Sequence, residues 1–215
     1  MTLDTYTVDN LLDQLRALGE PERCFNPYLD AHGRDSERRS ANLRRYLLDM
    51  GDRQPDVLLL FEAPGYRGCR VSGIPVTSER IMLVEIEKWK LFGNGYQRVS
   101  KRSDGIAEMT ATILWKALIE IADQPPLIWN TFPLHPFDPR KGELSNRTPM
   151  RREQRLGYPL IEQVIALFDL ETIVGVGRTA QRALTDLRIH HIEARHPAQG
   201  GKADFVAAMQ EIYGQ

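Results

Sequence analysis

The chain alternates short apolar runs with longer stretches that have helical periodicity. Continuous apolar character is typical of strands that are buried on both faces of a sheet. This pattern predicts strands over Val57–Phe61, Leu127–Thr131, Thr172–Val176 and His190–Ala194. Two polar segments, Gly93–Gly105 and Pro136–Pro149, are predicted to be surface loops.

Apolar residues at helical spacing predict helices between these strands. Asp35 or Ser36 is expected to cap a helix that runs toward Met50, with Gly51 as its stop signal. Further helices are predicted over Glu108–Ala122, Arg151–Phe168, Thr179–Leu187 and Ala203–Ile212. Strands that alternate with helices indicate an α/β fold, a three-layer α/β/α sandwich around a mostly parallel four-stranded sheet. We expect one domain over residues 1–215.

Composition narrows the class of protein. The 215 residues are 42% hydrophobic and 27% charged, which is typical of a soluble globular protein. No apolar run approaches the roughly 20 residues that cross a bilayer, and the acidic, amphipathic N-terminus does not resemble a signal peptide. We therefore expect a cytoplasmic protein without a membrane partner.

The net charge of −1 decides neither for nor against nucleic acid, although basic residues cluster locally. Solvated helix faces and phosphate-binding surfaces both remain open for these clusters. They are Arg38, Arg39, Arg44 and Arg45; Arg98, Lys101 and Arg102; and Arg147, Arg151, Arg152 and Arg155.

Metal and cofactor chemistry is not expected. Two cysteines, Cys24 and Cys69, cannot supply an all-cysteine zinc or iron–sulfur site. The five histidines show no spacing typical of ligands on one element. We predict no metal and no cofactor.

Polar residues follow the predicted strands at the edge where open parallel sheets collect ligands. Glu62 ends the first strand, Asn130 ends the second, and His196 follows the last. A buried amide without a partner is costly, so Asn130 is a candidate for ligand recognition.

In chain order, Glu62-Ala63-Pro64-Gly65, Asn130 and His196-Pro197-Ala198-Gln199-Gly200-Gly201 resemble the three motifs of the uracil-DNA glycosylase superfamily, in a branch without an iron–sulfur cluster. The resemblance spans residues 62–201. It implies a monofunctional DNA glycosylase of base excision repair. Such an enzyme flips deoxyuridine out of DNA, hydrolyses its N-glycosidic bond and leaves an abasic site. The implied partner is uracil-containing DNA, and a monomer would suit base flipping.

The resemblance also implies roles for individual residues. His196 would stabilise the departing uracil anion, and Glu62 would act on the sugar or the attacking water. The uracil-binding candidates are Asn130, Ala63, Gly65, Tyr66, Val76 and Phe132. The DNA-binding candidates are Arg70, Ser78, Arg195, Ala198, Gln199, Gly200 and Gly201.

Three positions depart from the family pattern. Ala63 stands where the best-known branch has a water-activating Asp, and Gly65 where it has a Tyr that excludes thymine. Val76 stands where many members have a Phe that stacks on the base, so Tyr66 or Phe132 is the candidate substitute. Strictness for uracil over thymine or hypoxanthine is therefore open.

Two other functions compete with this interpretation. The turn Gly175-x-Gly177-x-x-Ala180 matches a dinucleotide-binding fingerprint, and Glu193 lies near the position of a ribose-binding acid. An NAD(P)- or nucleotide-binding enzyme is one alternative. The other is a damaged-DNA-binding module that has lost catalysis.

Overall fold

A central sheet of parallel strands organises the chain in the computed structural model, which describes residues 3–198 and 200–214. The strands are β1 (Cys24–Phe25), β2 (Val57–Phe61), β3 (Leu127–Asn130), β4 (His135–Pro136), β5 (Thr172–Val176) and β6 (Ile192–Ala194). The central sheet has the order β3-β2-β5-β6, and each neighbouring pair is parallel. The short strands β1 and β4 form a separate antiparallel pair, which the sequence pattern did not predict.

Helices cover both faces of this sheet. They are α1 (Thr5–Ala17), α2 (Arg34–Arg53), α3 (Cys69–Ser72), α4 (Glu79–Met82), α5 (Met109–Ile121), α6 (Arg151–Gln154), α7 (Tyr158–Phe168), α8 (Arg178–Asp186) and α9 (Lys202–Tyr213). The crossover from β2 to β3 contains α5, and the crossover from β3 to β5 contains α7 and runs in the opposite direction across the sheet. Right-handed crossovers therefore place α5 and α7 on opposite faces. The predicted three-layer α/β/α sandwich around a parallel four-stranded sheet is confirmed.

The core lies on both sides of β2. All five residues of this strand are buried, as its continuous apolar run predicts. Helix α8 packs on β5 and β2, and α9 packs against α5 and β6. On the edge strand β3, the Ile128 N–H donates a hydrogen bond to the hydroxyl of Tyr46 in α2, at 3.0 Å. This contact satisfies a backbone donor that an edge strand would otherwise leave unpaired.

Helix α2 corrects the predicted boundaries. Gly33, not Asp35 or Ser36, occupies the N-cap position, and the helix continues through Gly51 to Arg53. It ends at Gln54, whose φ of 49° is left-handed. Gly51 has a packing role instead, since a methyl group there would lie 2.6 Å from Cβ of Leu3.

The predicted helix over residues 151–168 is interrupted, and the last strand is shorter than predicted. Residues Arg155–Gly157 form a 3-10 turn between α6 and α7. At Gly157 the turn approaches the carbonyl oxygen of Thr131 so closely that a side chain would overlap it. Strand β6 begins at Ile192, so His190 and His191 lie before it. No helix of the described residues is long and apolar enough to cross a membrane.

Candidate active site at the carboxyl edge of the sheet

Strand register brings the three sequence motifs to one edge of the sheet. Phe61, at the end of β2, pairs with Asn130 at the end of β3. On the other side of β2, Val176 at the end of β5 pairs with Ala194 at the end of β6. The edge of the His196 ring packs on the Phe61 ring, with centroids 5.8 Å apart and an interplanar angle of 85°. Glu62, Asn130 and His196 therefore belong to one region, as the motif order predicts.

Asn130 carries an unused hydrogen-bonding group. Its side chain is only 2% exposed, and its Oδ1 atom is buried without a hydrogen-bond partner among the described residues. Leaving a buried acceptor unpaired costs about 1–3 kcal/mol. An unpaired amide at the ligand-binding edge of a parallel sheet is what a recognition group for a polar ligand requires.

His196 is arranged as a neutral hydrogen-bond donor. The Ala198 N–H donates to Nδ1 of the ring at 3.2 Å, so Nδ1 is an acceptor and the neutral ring carries its proton on Nε2. Burial lowers the pKa of His196, and the more distant carboxylate of Glu108 opposes this shift only in part. At neutral pH the ring therefore presents an Nε2–H donor without a positive charge.

The glycine-rich turn after β5 supports the His196 ring. Gly177 has a φ of 85°, which favours glycine, and its N–H donates to the Ala194 carbonyl at 2.8 Å. A methyl group at this position would lie 3.3 Å from Cβ of His196. The motif that resembles a dinucleotide fingerprint thus has a structural role beside the candidate catalytic histidine.

Glu62 is held by the helix that follows the same turn. Its Oε2 atom accepts a hydrogen bond from the Thr179 hydroxyl at 2.6 Å, and its backbone carbonyl accepts from the Phe132 N–H at 3.0 Å. The side chain is half-buried. Glu62 is therefore a carboxylate of the first motif that α8 holds in position, and nothing in the sequence indicated its partner Thr179.

His135 and the loop that follows it, over residues 136–149, contact the first motif. The imidazole of His135, fully buried, lies between two backbone carbonyls, 2.8 Å from that of Pro64 and 2.9 Å from that of Glu143. Asn146 Oδ1 accepts from the Tyr66 N–H at 2.9 Å. Burial lowers the pKa of His135, so the neutral ring donates to one of its two carbonyl neighbours. These contacts give His135 a structural role, since its ring joins the first motif to the loop.

The uracil-binding candidates differ in solvent exposure and in the space around them. Gly65 has free space around it, with the Asn146 amide 4.0 Å from where a side chain would begin. Tyr66 is half-exposed, whereas Phe132 is fully buried in a small cluster with Cys24 and Leu134, against which the half-buried Ala63 also packs. Stacking on a base requires an accessible ring face, which the buried Phe132 lacks, whereas Tyr66 is partly exposed and carries the Arg67 guanidinium over its ring.

Val76 occupies a strained backbone position. Its φ of 44° is left-handed, which is a rare conformation for a β-branched residue. Its carbonyl accepts from the indole N–H of Trp115 at 3.2 Å, a contact that holds the turn in place. Such strain persists only where the surroundings enforce it, and it is common at ligand-binding sites.

The DNA-binding candidates fall in two places. Arg70 forms an ion pair with Glu143 at 2.6 Å, and Ser78 is fully buried, with no partner for its hydroxyl in the described part of the chain. On the other side, Arg195 pairs with Asp204 at 2.9 Å. In the turn after His196, Ala198 is half-buried, Gly200 is exposed and Gly201 is buried, while Gln199 lies outside the described residues.

Glu108 is a second carboxylate near the site. The sequence indicated this residue only as the start of a helix. Its two carboxylate oxygens accept from the N–H groups of Thr110 and Ala111, which caps α5. Its Cγ lies 3.4 Å from the position that a side chain at Gly68 would occupy. In the sequence, Glu108 is visible only as an acidic residue before a helical pattern. The fold brings its carboxylate near enough to His196 to oppose the lowering of that ring's pKa by burial.

The cysteines take no part in this chemistry. Both thiols are free and buried, and burial raises the pKa of each to about 12. Thiols with such pKa values are not nucleophiles at neutral pH. Among the described residues, no group of three or more His, Cys, Asp or Glu side chains is arranged to hold a metal ion.

Comparison with known proteins identifies the fold. No protein-family model matches the chain. No curated protein matches it either. Among solved structures, the chain is similar to wild-type SMUG2 from Pedobacter heparinus, with a TM-score of 0.64 and 15% sequence identity. The match covers 97% of this chain and 99% of that chain, so the two share their fold over almost their full length.

Proposed function

We propose that this chain is a monofunctional DNA glycosylase that removes uracil from DNA by hydrolysis. The observation that carries the proposal is the buried amide of Asn130 at the carboxyl edge of the sheet, whose Oδ1 has no hydrogen-bond partner among residues 3–198 and 200–214. The shared fold supports it, because SMUG2 is a member of the uracil-DNA glycosylase superfamily.

An asparagine amide can distinguish uracil from cytosine. Uracil presents a donor at N3 and an acceptor at O4, whereas cytosine presents an acceptor and a donor at the corresponding atoms. The unpaired Oδ1 of Asn130 would accept from the uracil N3–H, and its NH₂ group would donate to O4. A cytosine in the same position would set acceptor against acceptor and donor against donor.

His196 would stabilise the leaving group. When the bond between N1 of uracil and C1′ of the sugar breaks, its electron pair stays on the base, and negative charge develops on O2. The Nε2–H of neutral His196 would donate to that oxygen. Because the donor is already oriented by Ala198, no reorganisation is needed as charge develops.

Glu62 would act on the other half of the reaction. The sugar becomes oxocarbenium-like as the base leaves, and a carboxylate stabilises that positive charge. Water then forms the bond to C1′ and releases a proton, which Glu62 can accept. Thr179 would hold the carboxylate in place for this step. The products are free uracil and an abasic site in DNA, and we propose a monomer as the acting species.

A single-turnover assay on labelled oligonucleotides tests the function, with alkali added afterwards to reveal abasic sites. The substrates carry uracil opposite guanine, uracil opposite adenine, single-stranded uracil, thymine opposite guanine, or hypoxanthine. We expect cleavage of the uracil substrates, and a loss of roughly a hundredfold or more in rate for His196→Ala with binding retained. Asn130→Ala should weaken the preference for uracil.

His190→Ala is the matched control, because His190 is exposed and precedes the same strand at the opposite edge of the sheet. Unchanged turnover in His196→Ala would remove that residue from the mechanism. Cleavage of thymine or hypoxanthine would show that the open space at Gly65, together with a Val at position 76, has broadened the specificity.

The cleavage assay and a melting-temperature measurement separate the two alternative functions. Binding of uracil-containing DNA by the folded wild type without any cleavage would favour a damaged-DNA-binding module. For the dinucleotide alternative, we expect NAD and NADP to leave the melting temperature unchanged, since Gly177 packs on His196 and Thr179 is bonded to Glu62. A rise in melting temperature with either cofactor would reopen that interpretation.

A further inference from the structure

A positively charged cleft lies beside the first motif and is not used by the chemistry above. It has a volume of about 350 Å³. The residues that define it, which we call the arginine cleft, are Tyr66, Arg67, Arg70, Arg80, Arg102 and Leu144. Val71, Ile106 and Ala107 complete its lining, so four of the nine lining residues are arginines, although the whole chain has a net charge of −1.

The carboxylates near the arginine cleft only partly neutralise it. Arg70 pairs with Glu143 at 2.6 Å. Arg80 and Arg102 share a single carboxylate, that of Asp104. Arg67 has no carboxylate partner among the described residues, and its guanidinium lies over the ring of Tyr66, 5.8 Å from the centroid. Positive charge is therefore left over in a concave surface, which attracts anions such as phosphates.

The arginine cleft adjoins the candidate active site along the chain. Tyr66 and Arg67 belong to the loop that begins at Glu62, and Ala107, which also lines the cleft, directly precedes Glu108. Glu108 also lies beside Gly68 of that loop, with its Cγ 3.4 Å from where a side chain there would begin, and its carboxylate is near enough to His196 to oppose the lowering of that ring's pKa by burial. A nucleotide held between Asn130 and His196 would thus have its neighbouring phosphates on the side of the cleft.

Two side chains add a surface suited to a nucleobase. Leu144 is 69% exposed, which is unusual for a leucine beside so many charges, and Tyr66 is half-exposed. Grooves that bind single strands combine arginines, which follow the phosphates, with aromatic or apolar side chains that contact unstacked bases. The arginine cleft has both components.

We propose that the arginine cleft binds the DNA backbone next to the extruded nucleotide. Arg67, with Arg80 and Arg102, would contact the phosphates, and Tyr66 and Leu144 would pack against the adjoining unstacked base. That the ligand is the strand carrying the target base rests on the proposed function. The binding itself requires no catalysis, so it is measurable on DNA without uracil.

Fluorescence anisotropy with labelled single-stranded oligothymidylate, over a series of salt concentrations, tests this proposal on the full chain. Arg67→Gln and Arg102→Gln should each weaken binding roughly threefold to tenfold and lower the slope of log K against log salt by about 0.7. Leu144→Ser should weaken binding without changing that slope, since it removes an apolar contact and no charge.

Arg188→Gln is the matched control, because Arg188 is exposed and lies between α8 and β6, at the opposite edge of the sheet. It should leave both affinity and slope unchanged. Binding and slope that are unaltered in Arg67→Gln and Arg102→Gln, or reduced equally in Arg188→Gln, would overturn the arginine cleft as the binding site.

The two proposals fail in different ways. A wild type that removes uracil while the cleft variants bind oligothymidylate normally contradicts the cleft and leaves the glycosylase intact. A wild type that removes no uracil while the cleft variants lose binding contradicts the glycosylase and leaves a DNA-binding cleft.

Discussion

At the scale of single residues, a hydrogen bond to the ring and the burial of the ring together keep His196 a neutral donor. The hydrogen bond from the Ala198 N–H occupies Nδ1, and burial lowers the pKa of the ring. Protonation of Nδ1 would break that bond and place a charge in a poorly solvated position. The folded protein therefore holds His196 neutral to a lower pH than an exposed histidine, whose pKa is about 6.5.

This protonation state predicts a pH profile. We expect the single-turnover rate constant for uracil removal to stay level from pH 8 down through about pH 6.5, and to fall only below it. If the donor were instead an imidazolium, the rate constant would rise as the pH falls through that range. Rapid-quench measurements with saturating enzyme at constant ionic strength distinguish the two profiles, and His190→Ala should show the wild-type profile.

At the scale of elements, the site depends on turns that follow parallel strands in register. The pairing of Phe61 with Asn130 and of Val176 with Ala194 aligns the strand ends, so the residues that follow them meet at one edge. The turn at Gly177 then sets where the His196 ring lies, because the two residues are in close contact. The geometry of the candidate catalytic histidine thus depends on two neighbouring turns.

Gly177→Ala tests that dependence. The substitution adds a methyl group 3.3 Å from Cβ of His196 at a φ of 85°. We expect a loss of about 1–3 kcal/mol in the free energy of unfolding. We also expect a loss of roughly tenfold to a hundredfold in the rate constant, because the ring is displaced. Urea unfolding and single-turnover kinetics on the same preparation measure both effects.

Gly19→Ala is the control for backbone strain alone. Gly19 lies just after α1 with a φ of 62°, and no atom of the described residues is within 4 Å of where its side chain would begin, so the substitution adds strain without a new contact to His196. It should lose stability by a similar mechanism while the folded protein keeps its rate constant. An equal loss of rate in both variants would mean that Gly177 has no specific influence on His196.

At the scale of the whole molecule, net charge says little about where DNA would bind. Several basic residues that cluster in the sequence are already engaged, since Arg44 pairs with Asp9 at 2.7 Å and Arg147 with Glu153 at 2.7 Å. Arg39 is buried beneath the surface, with its guanidinium over the Phe25 ring. The arginine cleft shares only Arg102 with those clusters. Its residues come from four separate segments, which only the tertiary structure brings together.

The buried histidines predict how stability depends on pH. Burial lowers the pKa of both His135 and His196 in the folded state, below the value of about 6.5 in the unfolded chain. Their contribution to stability is therefore fully present above about pH 6.5 and is lost as the pH falls through the folded pKa values. We expect the free energy of unfolding, measured by urea titration, to be level between pH 8 and 7 and to decline below pH 6.5.

Variants test whether protonation of the buried histidines causes the decline in the free energy of unfolding. His196→Gln should reduce the slope below pH 6.5, because it removes one group that binds a proton only on unfolding. His190→Gln should leave the slope unchanged, since His190 is exposed. A slope that is identical in His196→Gln and the wild type would show that His196 does not titrate differently on unfolding.

Much of the fold and the candidate site was determined by local sequence patterns. The apolar runs at 57–61 and 172–176 form strands with the predicted bounds, since such runs are stable only when covered on both faces. Parallel strands place their carboxyl ends at one edge, so polar residues just after them meet without any further information. This is why Glu62, Asn130 and His196 could be grouped from the sequence.

What only the tertiary structure decided involves contacts between residues far apart in the chain. In the sequence, Gly51 indicates a helix stop. In the fold, α2 continues past Gly51, and the close approach of Leu3 leaves no room there for a side chain. Phe132 reads as an available aromatic, but Cys24 and Leu134 bury it. The hydrogen bond between Thr179 and Glu62 joins residues that are 117 positions apart. Local periodicity reports only which face of an element is buried, and the identity of the neighbour on that face depends on how the elements pack.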